Sequence, residues 1–572
     1  MKLAVSMSLS KRRRRHFSIH SKLTVCTPAR AWAEHRLRAG VSFTYICVHV
    51  LAYLTLYPGV LIVAMRTHAQ NDAHALNISV RGHAIHKYNA KAHARRIAHA
   101  AGSPSALIVL QAEKKANYSG SDQPRHFRQD RYFYYITGCN EPDCYVTYDV
   151  AKDFLTLWLP QANPSRVFYD GRGSTPEEAM EKYDIDDAKY IKQTPNCFLD
   201  AIAQACRLSS PTTILSSSSD VLRTAMDACR AVKDSDEVEL IREANRISAN
   251  AHEQVLKQLS QLTKEAEVEG LFLNTCIRAG AKEQAYGPIM GSGPNAGILH
   301  YGANDEAFDD RQVLLIDASC EWQLYAADVT RTMPLNQKKP GFWPSAEAEA
   351  IYKAVEKVQE ECISMLKPGR RFIDVNWHAI HMTIDALLGL GLLEGDHMEI
   401  FHTGTVSAFF PHGLGHHIGL EVHDITPTRR EHEGSESSTD DVASSYATFA
   451  QSISPHRQAL PGYNSAEHFS LSPSTLFVPC TINAPSLEPG NVVTIEPGIY
   501  FNKFILDNVY LNKPEHLKHI NLEVLKRYMP VGGVRIEDDI LITEKGYENL
   551  TTAVKGEEML AVIRKGWEED LQ

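Results

Sequence analysis

The stretch Val313-Leu-Leu-Ile-Asp-Ala-Ser-Cys-Glu-Trp-Gln-Leu-Tyr-Ala-Ala-Asp-Val-Thr-Arg-Thr332 decides how this chain folds. Val313–Ile316 is an apolar run too short for a helix, and it predicts a buried strand ending at Asp317. Asp328 follows on Tyr325–Thr332, read as a returning strand with Ser319–Gln323 as the hairpin turn. Adjacent antiparallel strands would set both carboxylates on one face. A lone aspartate on a strand is ordinarily a turn or ion-pair residue, so the reading depends on what the rest of the chain offers.

Three further blocks add to it. Val492–Ile495 reads as a buried strand, and Glu496 follows it just before a Pro497-Gly498 turn. In Gly533-Val-Arg-Ile-Glu537, Val534 and Ile536 face one side while Arg535 and Glu537 face the other. His416 lies in His412-Gly-Leu-Gly-His-His-Ile-Gly-Leu-Glu-Val-His423-Asp424, read as a short glycine-rich strand. Glycines at 413, 415 and 419 allow close backbone approach there. Asp317, Asp328, Glu496, Glu537 and His416 together are the inventory for two divalent cations sharing bridging oxygens. Two such ions balance four negative charges; without them the carboxylates repel one another and some must take up protons. The expectation is a metal-activated hydrolase. A mostly oxygen donor set with one imidazole favours a hard ion such as manganese.

The rest of the chain supplies the frame. At 572 residues there is room for two or three domains, and 44% hydrophobic with 22% charged residues is ordinary for a globular protein. A net charge of -10 gives no reason to expect nucleic-acid binding. The 11 cysteines form no CxxC pair, which suits reduced thiols inside a cell and argues against a disulfide scaffold. Residues 1–64 read as a non-core extension: a basic segment with Arg12 to Arg15 leads into the apolar run Val41–Met65. The first reading is an over-extended gene model; a single membrane anchor, for which that run is long enough, comes next, and a mitochondrial presequence is a further alternative. A cytoplasmic protein is otherwise expected.

Residues 85–231 alternate helix-like and strand-like pieces, including Lys87–Ala101 as a helix and Ser105–Gln111, Tyr132–Gly138, Cys144–Tyr148 and Phe154–Leu159 as strands. This predicts a smaller α/β domain. Lys233-Asp-Ser-Asp-Glu237 marks a boundary and a helix start, and Ser345–Leu366 reads as a second long helix. The domain at 233–572 then carries all five ligand blocks, and the Ser-rich stretch 428–474 is read as a mobile surface insertion.

From Ile85 onward these blocks, in this order, resemble the creatinase/aminopeptidase P/prolidase family. The resemblance implies a C-terminal pita-bread α+β catalytic domain behind the N-terminal α/β domain. It implies that Asp317 binds one metal, His416 and Glu496 the other, and that Asp328 and Glu537 bridge the pair. Ile298-Leu-His300-Tyr301 matches a block whose histidine contacts substrate; His423 matches the histidine that stabilises the oxyanion, and His412 lines the pocket. The implied reaction is attack by a dinuclear-metal-activated hydroxide on the bond preceding proline, with Glu496 carrying the proton. Manganese is the ion the resemblance implies, and a homodimer is an assembly it allows.

The narrower resemblance is to fungal Xaa-Pro aminopeptidases, through Ala90-Lys-Ala-His-Ala-Arg-Arg96, Ser121-Asp-Gln-Pro124, Arg131-Tyr-Phe-Tyr-Tyr135 and Asn140-Glu-Pro-Asp-Cys-Tyr145. The expected substrate is a peptide with proline second. A prolidase acting on Xaa-Pro dipeptides is the alternative. Prolidases of the family carry an arginine shortly before the Leu-x-Pro-Gly turn, whereas Pro479–Leu487 here contains none; Arg457 or Arg535 is left to grip a dipeptide carboxylate. A metal-free pita-bread binding protein is the alternative of another class.

Overall fold

The computed structural model describes residues 87–191, 213–425 and 484–570, with a few positions between 202 and 211. The Val41–Met65 run, Arg457 and the 428–474 stretch lie outside the described residues. Among those described, no helix is long and apolar enough to cross a membrane.

The N-terminal part opens with helix α1 (Ala90–Ala101), which leads into strand β1 (Ala106–Gln111), helix α2 (Arg131–Thr137), and strands β2 (Tyr145–Asp149) and β3 (Phe154–Pro160). Strands β4 (Asp187–Ile191) and β5 (Thr213–Ser216) and helix α3 (Asp220–Ala231) complete it. The sheet runs β4-β3-β2-β1-β5, with β1 antiparallel to β2 and parallel to β5. Ala106–Leu110 is buried throughout, as a strand covered on both faces must be.

One expectation fails here. Tyr132–Gly138 reads as a strand from its aromatic run but belongs to helix α2. Asp130 accepts the Phe133 N–H as its N-cap, and Gly138 stops it at φ +63° in the left-handed region. Phe133, Tyr134, Tyr135 and Ile136 are all buried, so packing on every side outweighs their β-propensity.

The second part begins with helix α4 (Ser235–Gln258). Asp234 caps it, and Glu237 reaches back to complete the box; Val238, Ile241, Ile247 and Val255 form its buried face. Helix α5 (Glu265–Ala279) precedes strands β6 (Ile289–Ser292) and β7 (Val313–Asp317), the hairpin β8 (Glu321–Trp322) and β9 (Tyr325–Ala326), and strand β10 (Thr330–Pro334). Helices α6 (Ala346–Ser364) and α7 (Phe372–Gly389) follow, then β11 (Val492–Ile495), β12 (Gly498–Tyr500), β13 (Gly533–Arg535), β14 (Asp538–Ile542), β15 (Tyr547–Asn549) and helix α8 (Gly556–Asp570).

The ligand-bearing strands fall into two groups. One is the antiparallel sheet β10-β7-β6; the other comprises β11-β14-β15 and the β12-β13 pair. A bridge between Thr330 and Glu537 joins them. A shared apolar core, including Ile247, Phe272, Leu315, Ile316, Val355, Val534 and Ile536, lies beneath both. This is the α+β arrangement expected of the C-terminal domain.

Asp328 does not sit on a continuous strand Tyr325–Thr332, as the sequence suggested. The turn is Gln323-Leu324, both at positive φ, and it joins β8 to β9; β10 starts at Thr330, so Asp328 lies in the link. Two left-handed residues give the tight, twisted turn that a short hairpin needs. The 412–424 stretch is likewise not a strand: it bends repeatedly and makes a single bridge, from His417 to Val493.

Candidate metal centre

The register of β7 against β10 puts Asp317 opposite Thr330. Glu537 follows β13, and its N–H donates to the Thr330 carbonyl while Thr330 Oγ1 donates to Glu537 Oε2 at 2.6 Å. Glu496 follows β11, whose Thr494 N–H donates to the His416 carbonyl at 2.8 Å. His416 N–H returns a bond to Thr494 Oγ1 at 3.0 Å. Neighbouring strands and the links beside them thus bring all five residues to one place.

They meet closely. Asp317, Asp328 and Glu537 offer carboxylate oxygens within 4.8 Å of one another; the ligand atoms of His416, Glu496 and Glu537 lie equally close, as do those of Asp328, His416 and His423, the histidines each offering a ring nitrogen. His416 Nε2 lies 3.4 Å from Asp328 Oδ2, 3.6 Å from Glu496 Oε1 and 4.0 Å from Glu537 Oε1. His416 Nδ1 lies 3.0 Å from the His417 carbonyl; a proton there leaves the Nε2 lone pair facing the carboxylates, the tautomer a metal ligand needs.

Electrostatics give the same picture. Burial first, then Asp317 and Asp539, push the Asp328 carboxyl well above its ordinary range. Burial and the Asp328 charge do the same to Glu537, and burial and Glu537 to Glu496. Burial lowers His416 to about 4, so its imidazole is neutral near pH 7 despite the carboxylates around it. Glu537 Oε1 is buried without a hydrogen-bond partner. A buried, unpartnered carboxylate oxygen among three other carboxylates is what a cation site requires, and the donor set fits a divalent ion.

The remaining expected site residues divide by location. The His423 ring packs edge-on against His416 at 4.3 Å, and His416 followed by burial lowers His423 to about 3. His412 Nε2 is 2.8 Å from the Tyr500 hydroxyl and its Nδ1 is 2.8 Å from the Gly413 carbonyl. His300 sits in an exposed turn after Gly293–Gly297. Arg535, read from the sequence as substrate-binding, is buried and spends its donors inside the site. It reaches Asp317 Oδ2 at 2.6 Å, the Tyr500 hydroxyl at 2.9 Å and Thr330 Oγ1 at 3.2 Å.

Sequence reasoning missed Tyr286, Thr330, Tyr500, Asp539 and Arg331. The Tyr286 hydroxyl lies 2.5 Å from Asp317 Oδ1 and 2.6 Å from Asp328 Oδ1. Asp539 Oδ2 accepts the Asp328 N–H at 3.0 Å and the Asn245 amide at 2.7 Å. No local motif announces Tyr286, because its role arises only when its strand neighbourhood folds. Thr330 and Arg331 sit inside the quoted Asp328 block, and Arg–Thr pairs flanking a buried acid were the available signal.

Gly415 shows how tightly the histidine is placed. A Cβ there would run into the Thr494 carbonyl. Gly415→Ala is therefore expected to displace His416 and weaken manganese binding by about 10- to 100-fold, the loss typical of disturbing a ligand's support. Titration of the metal-free protein with manganese checks this; unchanged affinity would show that the strand has room to yield.

The sequence model of metallopeptidase family M24 matches residues 239–544, and that of the aminopeptidase P N-terminal domain matches residues 88–208. The chain is 47% identical over 495 residues to a probable Xaa-Pro aminopeptidase of Pyrenophora tritici-repentis, covering 84% of this chain and 72% of that one. It is 46% identical over 512 residues to one from Aspergillus clavatus, covering 86% and 96%. Among solved structures, an Escherichia coli aminopeptidase P variant in complex with substrate superposes with TM-score 0.61 at 25% identity, covering 84% of this chain and all of that one.

Proposed function

The chain belongs to metallopeptidase family M24, and from that premise we propose that it is an Xaa-Pro aminopeptidase, releasing the first residue of peptides with proline second. The observation that carries the reading is the convergence of Asp317, Asp328, His416, Glu496 and Glu537 on overlapping ligand groups. We assign two divalent cations to them, with manganese favoured by the oxygen-rich donor set. Asp317 would hold one, His416 and Glu496 the other, and Asp328 and Glu537 both. Bound there, the cations supply Lewis acidity and make a water nucleophile available near neutral pH.

The protein's own groups complete the chemistry. Glu496 is the most open of the four carboxylates, with 18% of its side chain exposed, which suits it to take the proton of the attacking water and pass it to the leaving nitrogen. That nitrogen belongs to a tertiary amide in the substrate, so protonating it is the demanding step. His423 is neutral and can donate a hydrogen bond to the oxyanion as it forms. His412, fixed by Tyr500, lines the pocket, and His300 meets the substrate at the exposed turn. Arg535 acts by holding Asp317 and Tyr500 in place.

The manganese-loaded protein should release the first residue from a Xaa-Pro-Xaa tripeptide faster than it cleaves the matching Xaa-Pro dipeptide, and a chelator should abolish both. Preference for the dipeptide would instead establish the prolidase reading. Chelator-insensitive cleavage, or none, would remove the metallopeptidase assignment from this chain.

A further inference from the structure

His423 reaches the acid cluster from a bent segment that is not part of any strand; β11 ties the start of that segment, where the Ile418 N–H donates to the Val492 carbonyl at 3.1 Å, and contacts from outside the two ligand-bearing sheets hold its far part. Two residues before His423, Glu421 is gripped by Arg131 at the start of helix α2 and by Arg128 in the segment leading into that helix. Arg131 Nε donates to Glu421 Oε1 at 3.1 Å, and Arg128 Nη2 to Glu421 Oε2 at 2.7 Å. The same two guanidinium groups hold Glu321 on β8: Arg131 Nη2 lies 2.6 Å and Arg128 Nη1 2.9 Å from Glu321 Oε1. Two cations and two anions therefore alternate in a closed ring that spans about 290 residues of sequence.

Each glutamate leads into the metal centre by a short, hydrogen-bonded path. Glu321 pairs across β8 and β9 with Ala326, two residues from Asp328. The Ala326 N–H donates to the Gly419 carbonyl at 2.8 Å, tying that hairpin to the segment that carries Glu421 and His423. On its far side His423 is followed by Asp424, which is pinned by Arg230 Nη2 at 2.7 Å and Lys233 Nζ at 3.2 Å. The Asp424 pin fixes one end of the segment; the arginine ring fixes the other and connects it to Asp328.

Stability explains only part of the ring: Arg131 and Glu321 are almost wholly buried and form a pair the fold needs. Arg128 and Glu421 are each about two-fifths exposed, and ion pairs at such sites contribute little because solvent screens them. Arg131 even keeps a buried Nη1 without a partner, so its fork is set by the two glutamates and not by satisfying every donor. Each planar guanidinium bridges the two glutamates, and such charge-assisted bonds fix geometry as well as supplying energy. We propose that Arg128 and Arg131, carried by the N-terminal sheet domain, are positioning residues that hold His423 and Asp328 at the metal centre through Glu421 and Glu321. This rests on the peptidase reading for its catalytic consequence but not for its structural one.

The test uses the full-length, manganese-loaded protein with the substitutions Arg128→Gln and Arg131→Gln combined, and separately Glu421→Gln, whose half-open position spares the fold. Both proteins should show faster amide hydrogen exchange across 417–425 and 320–328. For a Xaa-Pro-Xaa tripeptide, kcat should fall about 10-fold, as a small misplacement of a catalytic group does, with KM within about twofold and metal content unchanged. The triple variant should lose no more than the double, because all three changes open one ring. Unchanged exchange in both segments, or a kcat loss that merely follows lost metal, would overturn the proposal. If the wild-type protein cleaves no such peptide, the peptidase reading falls, while the exchange result still decides the clamp.

Discussion

Glu537→Gln is expected to cut peptide hydrolysis by about three orders of magnitude or more and to lower bound manganese, and Asp328→Asn should do the same. The reason is their place in the site. Glu537 belongs both to the group with Asp317 and Asp328 and to the group with His416 and Glu496, and Asp328 likewise joins two groups. Loss of either one damages both candidate ion positions, whereas loss of Asp317 or Glu496, each in a single group, damages one. The fold should survive, because burial and neighbouring acids hold both carboxyls well above their ordinary range.

The sign of the stability effect follows from that shift. Below the ordinary carboxylate range the folded and unfolded chains are both protonated at these positions, and nothing is lost. As pH rises through that range the unfolded chain ionises first, so the metal-free folded state weakens until its own raised pKa is passed. Glutamine at 537 removes that loss. In chelator near pH 8 the variant should therefore melt at or above the wild-type temperature, with the gap closing toward pH 4. Added manganese should reverse the order, since it binds and stabilises only the intact site. A variant melting well below the wild type in chelator would mean that Glu537 is a structural acid.

The largest stability effect is expected from Arg331→Met. Arg331 is almost wholly buried, and its guanidinium satisfies five acceptors: the carbonyls of Thr330, Glu537, Ala553 and Val554, and Asp538 Oδ1 at 2.7 Å. It locks β10 against Glu537 and Asp538 and against Ala553 and Val554, which lead into α8. Removing it leaves Asp538 with only Lys555 and Asn549, and strips several carbonyls of donors. Breaking a buried pair in this way costs about 3–5 kcal/mol. Lysine cannot replace the fork, because one ammonium does not reach acceptors spread over a plane, so Arg331→Lys should recover little. Urea unfolding of the metal-free proteins measures this; a loss under about 1 kcal/mol would show that the carbonyls find other donors.

The sequence revealed the ligands better than their supports. Asp317, Glu496 and Glu537 were legible because each ends or follows an apolar strand whose alternation fixes the direction of the next side chain. Asp328 was found for the same kind of reason, though its strand is interrupted. The left-handed pair Gln323-Leu324 carries no glycine or asparagine to announce the turn. Helix α2 was misread because an aromatic run looks the same whether a sheet or a fully packed helix buries it. Its Asp130 cap and Gly138 stop were the signals to weigh. Tyr286 and the Arg128–Arg131 ring were invisible for another reason: their partners lie tens to hundreds of residues away, and only the folded register brings them together.

Crystals of the manganese-loaded protein, measured at the manganese absorption edge, test the central claim most directly. The account predicts two anomalous peaks per chain, one against Asp317 and one against His416 and Glu496, with Asp328 and Glu537 touching both. A single peak, or peaks away from these five side chains, would contradict it.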